Sequence, residues 1–320
     1  MSNAMNDASV ITFEQIAKQF DITINPADEQ FFRTLMTNDM KYREANDVEM
    51  AEYKAQVHER MKDPRSVRTK DENLAAFEKG WQENLDALRT QGPSAEVLKP
   101  RYFRQNKFLR FNNGLIISEN LNLEYDLFVV CRSLIFKQFL GSYHTIYELG
   151  CGSGQNLFAL SQMYPEKEIV GLDWASTSVE IAMHLAKTLN RKISGLQFDM
   201  FHPAGSLKFK PHSAVFSIHA LEQLGGDFTD LLEFLLKEPV DLVVNYEPIL
   251  DFYDGRNALD KLALNYSRKR GYLNGYWEAL QRLRQQNKIE ILKACRPLIG
   301  GVIHESSLLA WRPVKYSIES

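Results

Sequence analysis

The sequence predicts an α/β protein in which a doubly wound, mostly parallel sheet follows an N-terminal helical region. Two observations lead to this prediction. After about residue 143, short apolar runs alternate with helical segments, the strand–helix–strand repeat of a parallel sheet. Before that point, apolar residues recur at helical spacing. We therefore divide the chain into an expression remnant at 1–4, a helical region at 5–120 and an α/β domain at 121–320.

Helices before residue 140 are predicted from apolar residues at helical spacing. Pro26 suits a first helical turn, and Gly92-Pro93 ends the fourth helix, which carries Phe77 and Trp81 on one face. The predicted helices span 13–20, 26–35, 41–61, 71–88 and 121–140.

The second half of the chain supplies the strands of the predicted sheet. They span 144–149, 168–173, 193–198, 214–219 and 240–246, with helices at 156–163, 176–190 and 228–236 between them. A long helical stretch follows at 256–286. Two last strands, 289–294 and 307–311, are predicted to form a terminal hairpin.

Charge and cysteine content exclude several classes of protein. Lys and Arg number 38 against 41 Asp and Glu, a net charge of −3, so a general nucleic-acid or membrane-surface binder is not indicated. No apolar stretch reaches the roughly 18 residues that a membrane span requires. Cys131, Cys151 and Cys295 form no CxxC or Cys/His cluster, so neither a disulfide scaffold nor a zinc site is predicted. Because no secretory signal pattern is present, we expect a cytoplasmic protein.

A glycine-rich loop, ELGCGSG from Glu148 to Gly154, lies where the first predicted strand meets the next helix. Glycines there let a ligand approach the backbone, and free N–H groups at a helix N-terminus favour an anion. A dinucleotide fingerprint, G-x-G-x-x-G, would place its third glycine at Gln155. The spacing disfavours an NAD(P)-dependent oxidoreductase, which stays open as an alternative. The alternative interpretation is that the loop is an ordinary strand-to-helix turn that binds no ligand.

The same loop resembles the first motif of the class I S-adenosylmethionine-dependent methyltransferases, E/D-x-G-x-G-x-G, at Glu148, Gly150, Gly152 and Gly154. The resemblance extends over 143–311 and implies the Rossmann-like, seven-stranded sheet of that family. It also implies S-adenosyl-L-methionine as the cofactor and S-adenosyl-L-homocysteine as the product. Within the loop, Cys151 is predicted to contact the cofactor together with the glycines.

Two further acids at strand ends match the family pattern. By the resemblance, Asp173 after the second strand would receive both ribose hydroxyls. Asp199 after the third strand would accept from the adenine amino group, with Trp174 and Met200 on either side of the ring. As alternatives, either acid caps the following helix, and Trp174 and Met200 pack in the core.

Catalytic candidates are expected at the ends of the fourth and fifth strands. Methyl transfer is an in-line displacement for which the protein supplies alignment, and a hydroxyl acceptor must also lose a proton. His219 titrates near neutrality and is the candidate general base as well as a cofactor neighbour, with packing at a strand end as the alternative. Glu247 is the second catalytic candidate. Glu222 is predicted to border the methionine part of the cofactor.

The acceptor is predicted from what the fourth strand lacks. The strand ends in SIHA, whereas methyltransferases that act on nucleobases or glutamine amides have [DN]PP[YF] at this place, so those substrates are disfavoured. No Asp/Asn cluster in the sequence near this strand resembles the site of a metal-dependent O-methyltransferase. We therefore expect metal-independent O-methylation. The segments HALEQL from His219 to Leu224 and SLLAWRP from Ser307 to Pro313 are faintly similar to bacterial methyltransferases associated with surface-polysaccharide genes, which favours a sugar or nucleotide-sugar hydroxyl. The candidate acceptor residues are Tyr102, Arg104, Tyr246 and His304.

The N-terminal region is longer than the catalytic fold requires. In the family such additions commonly cover the pocket, so 5–120 is expected to act as a lid and acceptor region or as a homodimer interface. Basic and aromatic residues alternate over 99–110, which suits a phosphorylated acceptor, although a solvated connection is the simpler interpretation. The expected partner is a small molecule or glycan; DNA is not expected and RNA is disfavoured. A non-catalytic S-adenosylmethionine-binding protein stays open as an alternative.

Overall fold

The computed structural model describes residues 8–36, 39–63, 67, 69–203 and 207–315, so the predicted expression remnant at 1–4 lies outside the described residues. The strands are β1 (Ser9–Val10), β2 (Lys41–Glu44), β3 (Phe108–Phe111), β4 (Gly114–Ile117), β5 (Thr145–Leu149), β6 (Glu168–Asp173), β7 (Ile193–Gln197), β8 (Ser213–Ile218), β9 (Val240–Glu247), β10 (Ile289–Cys295), β11 (Ile299–Gly300) and β12 (Ser307–Pro313). The helices are α1 (Phe13–Gln19), α2 (Glu29–Leu35), α3 (Asp47–Lys62), α4 (Lys70–Gln91), α5 (Leu123–Ile135), α6 (Gln155–Met163), α7 (Ser176–Leu189), α8 (Thr229–Lys237), α9 (Ala258–Arg270) and α10 (Tyr276–Gln285).

The larger sheet has seven strands in the order β7–β6–β5–β8–β9–β12–β10, which confirms the predicted fold class. β5 to β9 are parallel, and β12 is antiparallel to both of its neighbours. Every residue of β5 and β8 is buried, as is typical of parallel strands covered on both faces. The strand order reverses between β5 and β8, so the crevice at their carboxyl ends is where such sheets bind ligands.

The smaller sheet, ordered β1–β2–β4–β3–β11, was not predicted from the sequence and corrects the helix expected over 41–61. The first part of that segment is β2, which pairs with β4, and α3 begins only after a capping box formed by Asn46 and Glu49. Pairing with a strand more than sixty residues away outweighs the helical spacing of the segment, which is only a weak local signal.

A second difference concerns the helix predicted over 256–286. It is divided into α9 and α10, because Gly271 ends α9 in the left-handed conformation with φ of 67°. The connection between the two helices buries Tyr272 and Leu273. The predicted pairing of the last two strands is present as β10 and β12, but the chain between them also forms β11, which pairs with β3 of the smaller sheet.

A buried ion network joins the two sheets. Arg110 on β3 forms ion pairs with Asp260 on α9 and, at 3.1 Å, with Glu305 just before β12. Arg296 bridges the same two carboxylates, at 2.7 Å from Asp260 and 2.8 Å from Glu305. Two cations therefore face two anions, and their mutual neutralisation offsets the cost of burying four charges.

Helix α4 packs on α7 and lies across the carboxyl edge of the larger sheet. A capping box of Thr69 and Glu72 starts it, and Leu85 and Leu88 of its apolar face are buried. Trp81 on the same face is partly buried against the core. The N-terminal region thus contributes one wall at the ligand-binding edge of the sheet. Among the helices that the structure describes, none combines the length and apolarity needed to span a membrane.

Candidate active site

The glycine loop between β5 and α6 has a backbone conformation that requires glycine. Gly150, Gly152 and Gly154 have φ of 71°, 49° and 74°, in the left-handed region that L side chains rarely adopt. A Cβ on Gly150 would lie 2.4 Å from the Cβ of Ala220, and one on Gly152 would lie 2.9 Å from Cζ2 of Trp81. The loop therefore forms a close-fitting cradle between the end of β8 and helix α4.

Asp173 at the end of β6 fixes this loop. Its Oδ2 accepts the backbone N–H of Gly152 at 2.8 Å, and its Oδ1 accepts that of Ala175 at 2.9 Å. Burial raises the pKa of Asp173 to about 6, although both backbone donors favour the carboxylate. The predicted ribose-binding acid thus lies directly beside the glycine loop, where it also orients the start of α7.

Glu148 and Cys151 turn inward from the loop. Oε1 of Glu148 accepts a hydrogen bond from Nδ2 of Asn156 at 2.6 Å, whereas its buried Oε2 has no hydrogen-bond partner in the described part of the chain. Burial raises the pKa of Glu148 well above its usual range. The thiol of Cys151 is buried against β6, where a Cβ on Gly171 would be 2.7 Å from its Sγ. Cys151 thus belongs to the glycine loop while its side chain packs in the core, and its cofactor contact stays a prediction.

A surface cleft of about 470 Å³ opens at the ends of β6 and β7. Trp174 and Asp199 line it together with Lys70 of α4. Asp199 accepts the N–H of Phe201 at 2.9 Å and pairs with Nζ of Lys70 at 3.0 Å. The Trp174 ring stacks on Phe201 with centroids 5.9 Å apart. The structure thus brings together in this cleft two of the three residues that the sequence predicted near the adenine.

Met200 lies between this cleft and the glycine loop. It is partly buried, and its Cε is 3.8 Å from the position of a Cβ on Gly150. This position is compatible with either predicted role, adenine contact or core packing.

A second cavity, of about 20 Å³, lies beyond the end of β8 and has room for about one water molecule. Its lining includes Glu124, Phe128, His219, Tyr246, His304 and Ser306. The structure therefore unites three of the predicted residues, His219, Tyr246 and His304, with Glu124 and Ser306, which sequence reasoning missed.

His219 follows β8 with φ of 55° and is hydrogen-bonded through Nε2 to Oγ of Ser306 at 2.6 Å. Its ring centroid is 5.8 Å from that of Phe128 and 6.3 Å from that of Tyr246. Burial lowers the pKa of His219 to about 4, so the imidazole is neutral at neutral pH. Its location matches the prediction, but its low pKa makes it a weak proton acceptor.

Glu247 lies beneath the turn that carries His219. The side chain is fully buried, and its two oxygens lie 3.1 and 3.0 Å from the backbone N–H of Ala220, which donates to the carboxylate. Burial, and then the charge of Glu222, raise the pKa of Glu247 to about 8. The carboxyl group holds the turn and lines neither cavity, so this geometry favours a positioning role, and the catalytic role of Glu247 stays a prediction.

Glu222 and His304 face each other at the far side of the second cavity. Oε2 of Glu222 is 3.7 Å from Nδ1 of His304. The other oxygen of Glu222, Oε1, accepts a hydrogen bond from Nε2 of Gln223 at 2.9 Å. Burial would raise the pKa of Glu222, but the facing His304 outweighs it and holds the pKa below its usual value. The rings of Tyr266 and Tyr272 flank His304, with centroids 5.5 and 5.4 Å away.

Two predicted acceptor residues have different locations. Tyr102 is 50% exposed, and its ring centroid is 6.4 Å from that of His219, so it lies at the surface beside the second cavity without lining it. Arg104 is exposed and lines neither of the two cavities.

Sequence reasoning also missed the contribution of α4. Glu78 accepts the backbone N–H of Ser176 at 2.6 Å and that of Thr177 at 3.1 Å, which caps α7 from a distant helix. The helical spacing of Phe77 and Trp81 predicts a buried face but does not specify the glycine loop as its partner. Within the described ranges, no three His, Cys, Asp or Glu side chains are grouped as ligands for a metal ion.

The site fits a nucleoside cofactor bound through the loop. The three positive-φ glycines keep side chains out of the cradle, and the large cleft adjoins Asp199 and Trp174. Buried carboxylate oxygens without partners remain at Glu148 and Glu222 among the described residues. Such oxygens are costly to leave unpaired, which favours a bound donor beside them.

Comparison with known proteins gives one family match. Residues 146–237 match the family model described as a methyltransferase domain. No curated protein matches the sequence.

Several solved structures are similar at low identity. Geranyl diphosphate methyltransferase in complex with S-adenosylmethionine is 12% identical, with 59% of this chain and 88% of that chain covered and a TM-score of 0.43. Magnesium protoporphyrin IX methyltransferase from Synechocystis is 14% identical, with 60% and 83% covered and a TM-score of 0.44. The O-methyltransferase of a polyketide synthase from Brevibacillus brevis is 11% identical, with 57% and 71% covered and a TM-score of 0.41. Likenesses of this grade carry no argument about the reaction of this chain.

The family match covers the glycine loop, nearly all of β5, all of β6 to β8, and the strand-end acids Asp173 and Asp199. The chain thus contains a methyltransferase domain of the class I, S-adenosylmethionine-dependent type.

Proposed function

We propose that the enzyme methylates a hydroxyl oxygen of a small acceptor, a sugar or nucleotide-sugar, without a metal ion. The observation that carries the proposal is the grouping of histidine, serine and carboxyl side chains with aromatic rings around the second cavity, which holds about one water molecule as it stands and would have to widen to admit the acceptor. Polar groups that converge between aromatic faces suit a polyhydroxylated ring, because the rings cover its C–H faces and the polar groups orient its hydroxyls.

The cofactor would be held by the residues around the glycine cradle. The backbone of Gly150, Gly152 and Gly154 would approach it closely, Asp173 would receive the ribose, and Asp199 and Trp174 would border the adenine in the large cleft. When bound, S-adenosylmethionine supplies an activated methyl group. This chain would align the acceptor oxygen, exclude water and receive the hydroxyl proton.

Helix α4 would serve as the cofactor lid. Trp81 covers Gly152, Glu78 caps α7, and Lys70 pairs with Asp199, so three positions along one helix contact three parts of the cofactor side of the site. Cofactor entry then requires α4 to move away from the loop. A cytoplasmic location and a homodimer stay predictions.

The proposal is tested in two steps. Calorimetric titration with S-adenosylmethionine, S-adenosylhomocysteine and NAD should give micromolar binding of the first two and none of NAD. The protein would then be incubated with S-adenosylmethionine and UDP-glucose, GDP-mannose or methyl glucoside, and S-adenosylhomocysteine release measured. Release that depends on a hydroxyl acceptor supports the proposal. Tight cofactor binding with no release from any acceptor would favour the non-catalytic alternative, and NAD binding would overturn the cofactor assignment.

A further inference from the structure

Glu222 and His304 form a pair that the function proposed above does not use. The two side chains come from different parts of the chain, the turn after β8 and the segment before β12, and meet with Oε2 and Nδ1 at 3.7 Å. Oε2 of Glu222 is buried and accepts no hydrogen bond from the described residues. A small shift of the imidazole would turn this contact into a hydrogen bond, as often happens when a site closes on its ligand.

Glu222 is the ionised group that faces His304. Glu222 is ionised at neutral pH, because its pKa lies below the usual value. Burial raises the pKa of Glu124, the other carboxyl group acting on His304, and so favours its neutral form. Of the remaining neighbours, His219 is neutral at neutral pH, and Tyr266 and Tyr272 present aromatic rings. The ionised carboxylate nearest to Nδ1 of His304 is therefore that of Glu222, at 3.7 Å.

The two histidines of the second cavity differ in their suitability as bases. Nε2 of His219 is already hydrogen-bonded to Ser306 at 2.6 Å, and the charge of Glu222, which also acts on His219, is outweighed there by burial, which lowers the pKa of the imidazole. The side chain of His304 is 34% exposed, so a proton can pass from it to solvent. A base oriented by a carboxylate on its other nitrogen is a recurrent arrangement for proton removal.

We propose that His304 is the general base of the reaction and that Glu222 is its positioning residue. This inference rests on the proposed hydroxyl acceptor. The acceptor O–H bond breaks and its proton passes to Nε2 of His304, while the oxygen bonds to the methyl carbon and the S–CH₃ bond breaks, leaving its electron pair on sulfur. The proton then leaves His304 for solvent. Glu222 thus serves the base as well as the methionine end of the cofactor.

The pairing is tested first without any acceptor. Protein with isotope-labelled histidine, saturated with S-adenosylhomocysteine, is titrated by NMR, and the His304 signal is assigned with His304→Gln. If the two side chains are paired, replacing Glu222 by Gln should move the His304 titration curve to lower pH than in the wild type, because an opposite charge beside the imidazole is removed. The matched control is the exposed pair of His212 and Asp241, 2.9 Å apart, in which Asp241→Asn should affect only His212. An unchanged His304 titration in Glu222→Gln would overturn the inference.

Turnover with the acceptor identified above tests the catalytic step. His304→Ala should lower kcat by about a hundredfold or more, with KM for S-adenosylmethionine unchanged. Glu222→Gln should shift the acid limb of the kcat/KM profile to lower pH, whereas loss of a merely structural contact would lower activity without this shift. His219→Ala should cost less than His304→Ala, and His212→Ala should have no effect. Full activity of His304→Ala overturns this inference alone. Absence of turnover with every acceptor, despite cofactor binding, overturns the proposed function and the inference with it.

Discussion

Glu78 of α4 connects the N-terminal region to the cofactor side of the site, and Glu78→Ala tests whether α4 is a lid. The carboxylate accepts the two backbone N–H groups at the start of α7 and also the hydroxyls of Ser176 and Thr177. Loss of a helix cap costs about 1 kcal/mol, and the extra charged hydrogen bonds add to this, discounted because Glu78 is half-buried. We take the loss of free energy that holds α4 against α7 as about 1.4 kcal/mol. This loss corresponds to about a tenfold increase in the population of molecules in which α4 has moved away.

The assay is the dissociation rate of S-adenosylhomocysteine, followed by stopped-flow tryptophan fluorescence, since Trp81 and Trp174 both lie at the site. Glu78→Ala should accelerate dissociation by about tenfold. Arg89→Ala is the matched control, because it removes an exposed ion pair with Glu180 between the same two helices, a pair worth about 0–1 kcal/mol. Equal dissociation rates for wild type, Glu78→Ala and the control would refute the lid.

The same contact predicts a pH dependence of the lid. Burial would raise the pKa of Glu78, but hydrogen bonds from Thr177 and Ser176 outweigh it and hold the pKa below its usual value. A depressed carboxyl pKa contributes stability that is present above the ordinary pKa and is lost as pH falls through the folded-state value. Dissociation in the wild type should therefore accelerate in acid, and Glu78→Ala should lack that acceleration.

Three further predictions concern binding and stability. Asp173→Ala should weaken S-adenosylmethionine binding by at least about tenfold in calorimetry, because it removes a charged acceptor beside the glycine loop; unchanged affinity would contradict the assigned ribose contact. Gly152→Val should abolish binding while circular dichroism stays native, since its Cβ would meet Trp81 at 2.9 Å and φ of 49° is unfavourable for valine; normal affinity would place the cofactor elsewhere. Arg110→Met should destabilise the protein by about 3–5 kcal/mol in urea unfolding, because two buried carboxylates would share one cation; a loss below about 1 kcal/mol would show that the network is relaxed by solvent.

The cofactor side of the site could be predicted from sequence because its signals are local. Gly150, Gly152 and Gly154 occupy one short loop, and Asp173 and Asp199 each follow a recognisable strand. Parallel strands bring their carboxyl ends to one edge, so correct strand assignment already groups these residues.

The acceptor side depends on contacts between distant segments. The position of Glu247 at a strand end suggested catalysis, and only the fold shows that the backbone of Ala220 uses both carboxylate oxygens. Similarly, Trp81 and Glu78 lie on a helix whose spacing reveals a buried face but not the identity of its partner. The small sheet was missed for the same reason, since pairing of β2 with β4 cannot be read from either segment alone.

The detour of the chain through β11 has a consequence for any shortened form of this protein. Between two strands of the large sheet, the chain leaves to pair with β3 and returns through Glu305, the partner of Arg110. Cutting at residue 120 would remove β3 and Arg110 together, exposing an unpaired strand edge and depriving Asp260 and Glu305 of one of their two cations. We therefore expect the fragment 121–320 to aggregate when expressed alone, although it contains the whole seven-stranded sheet.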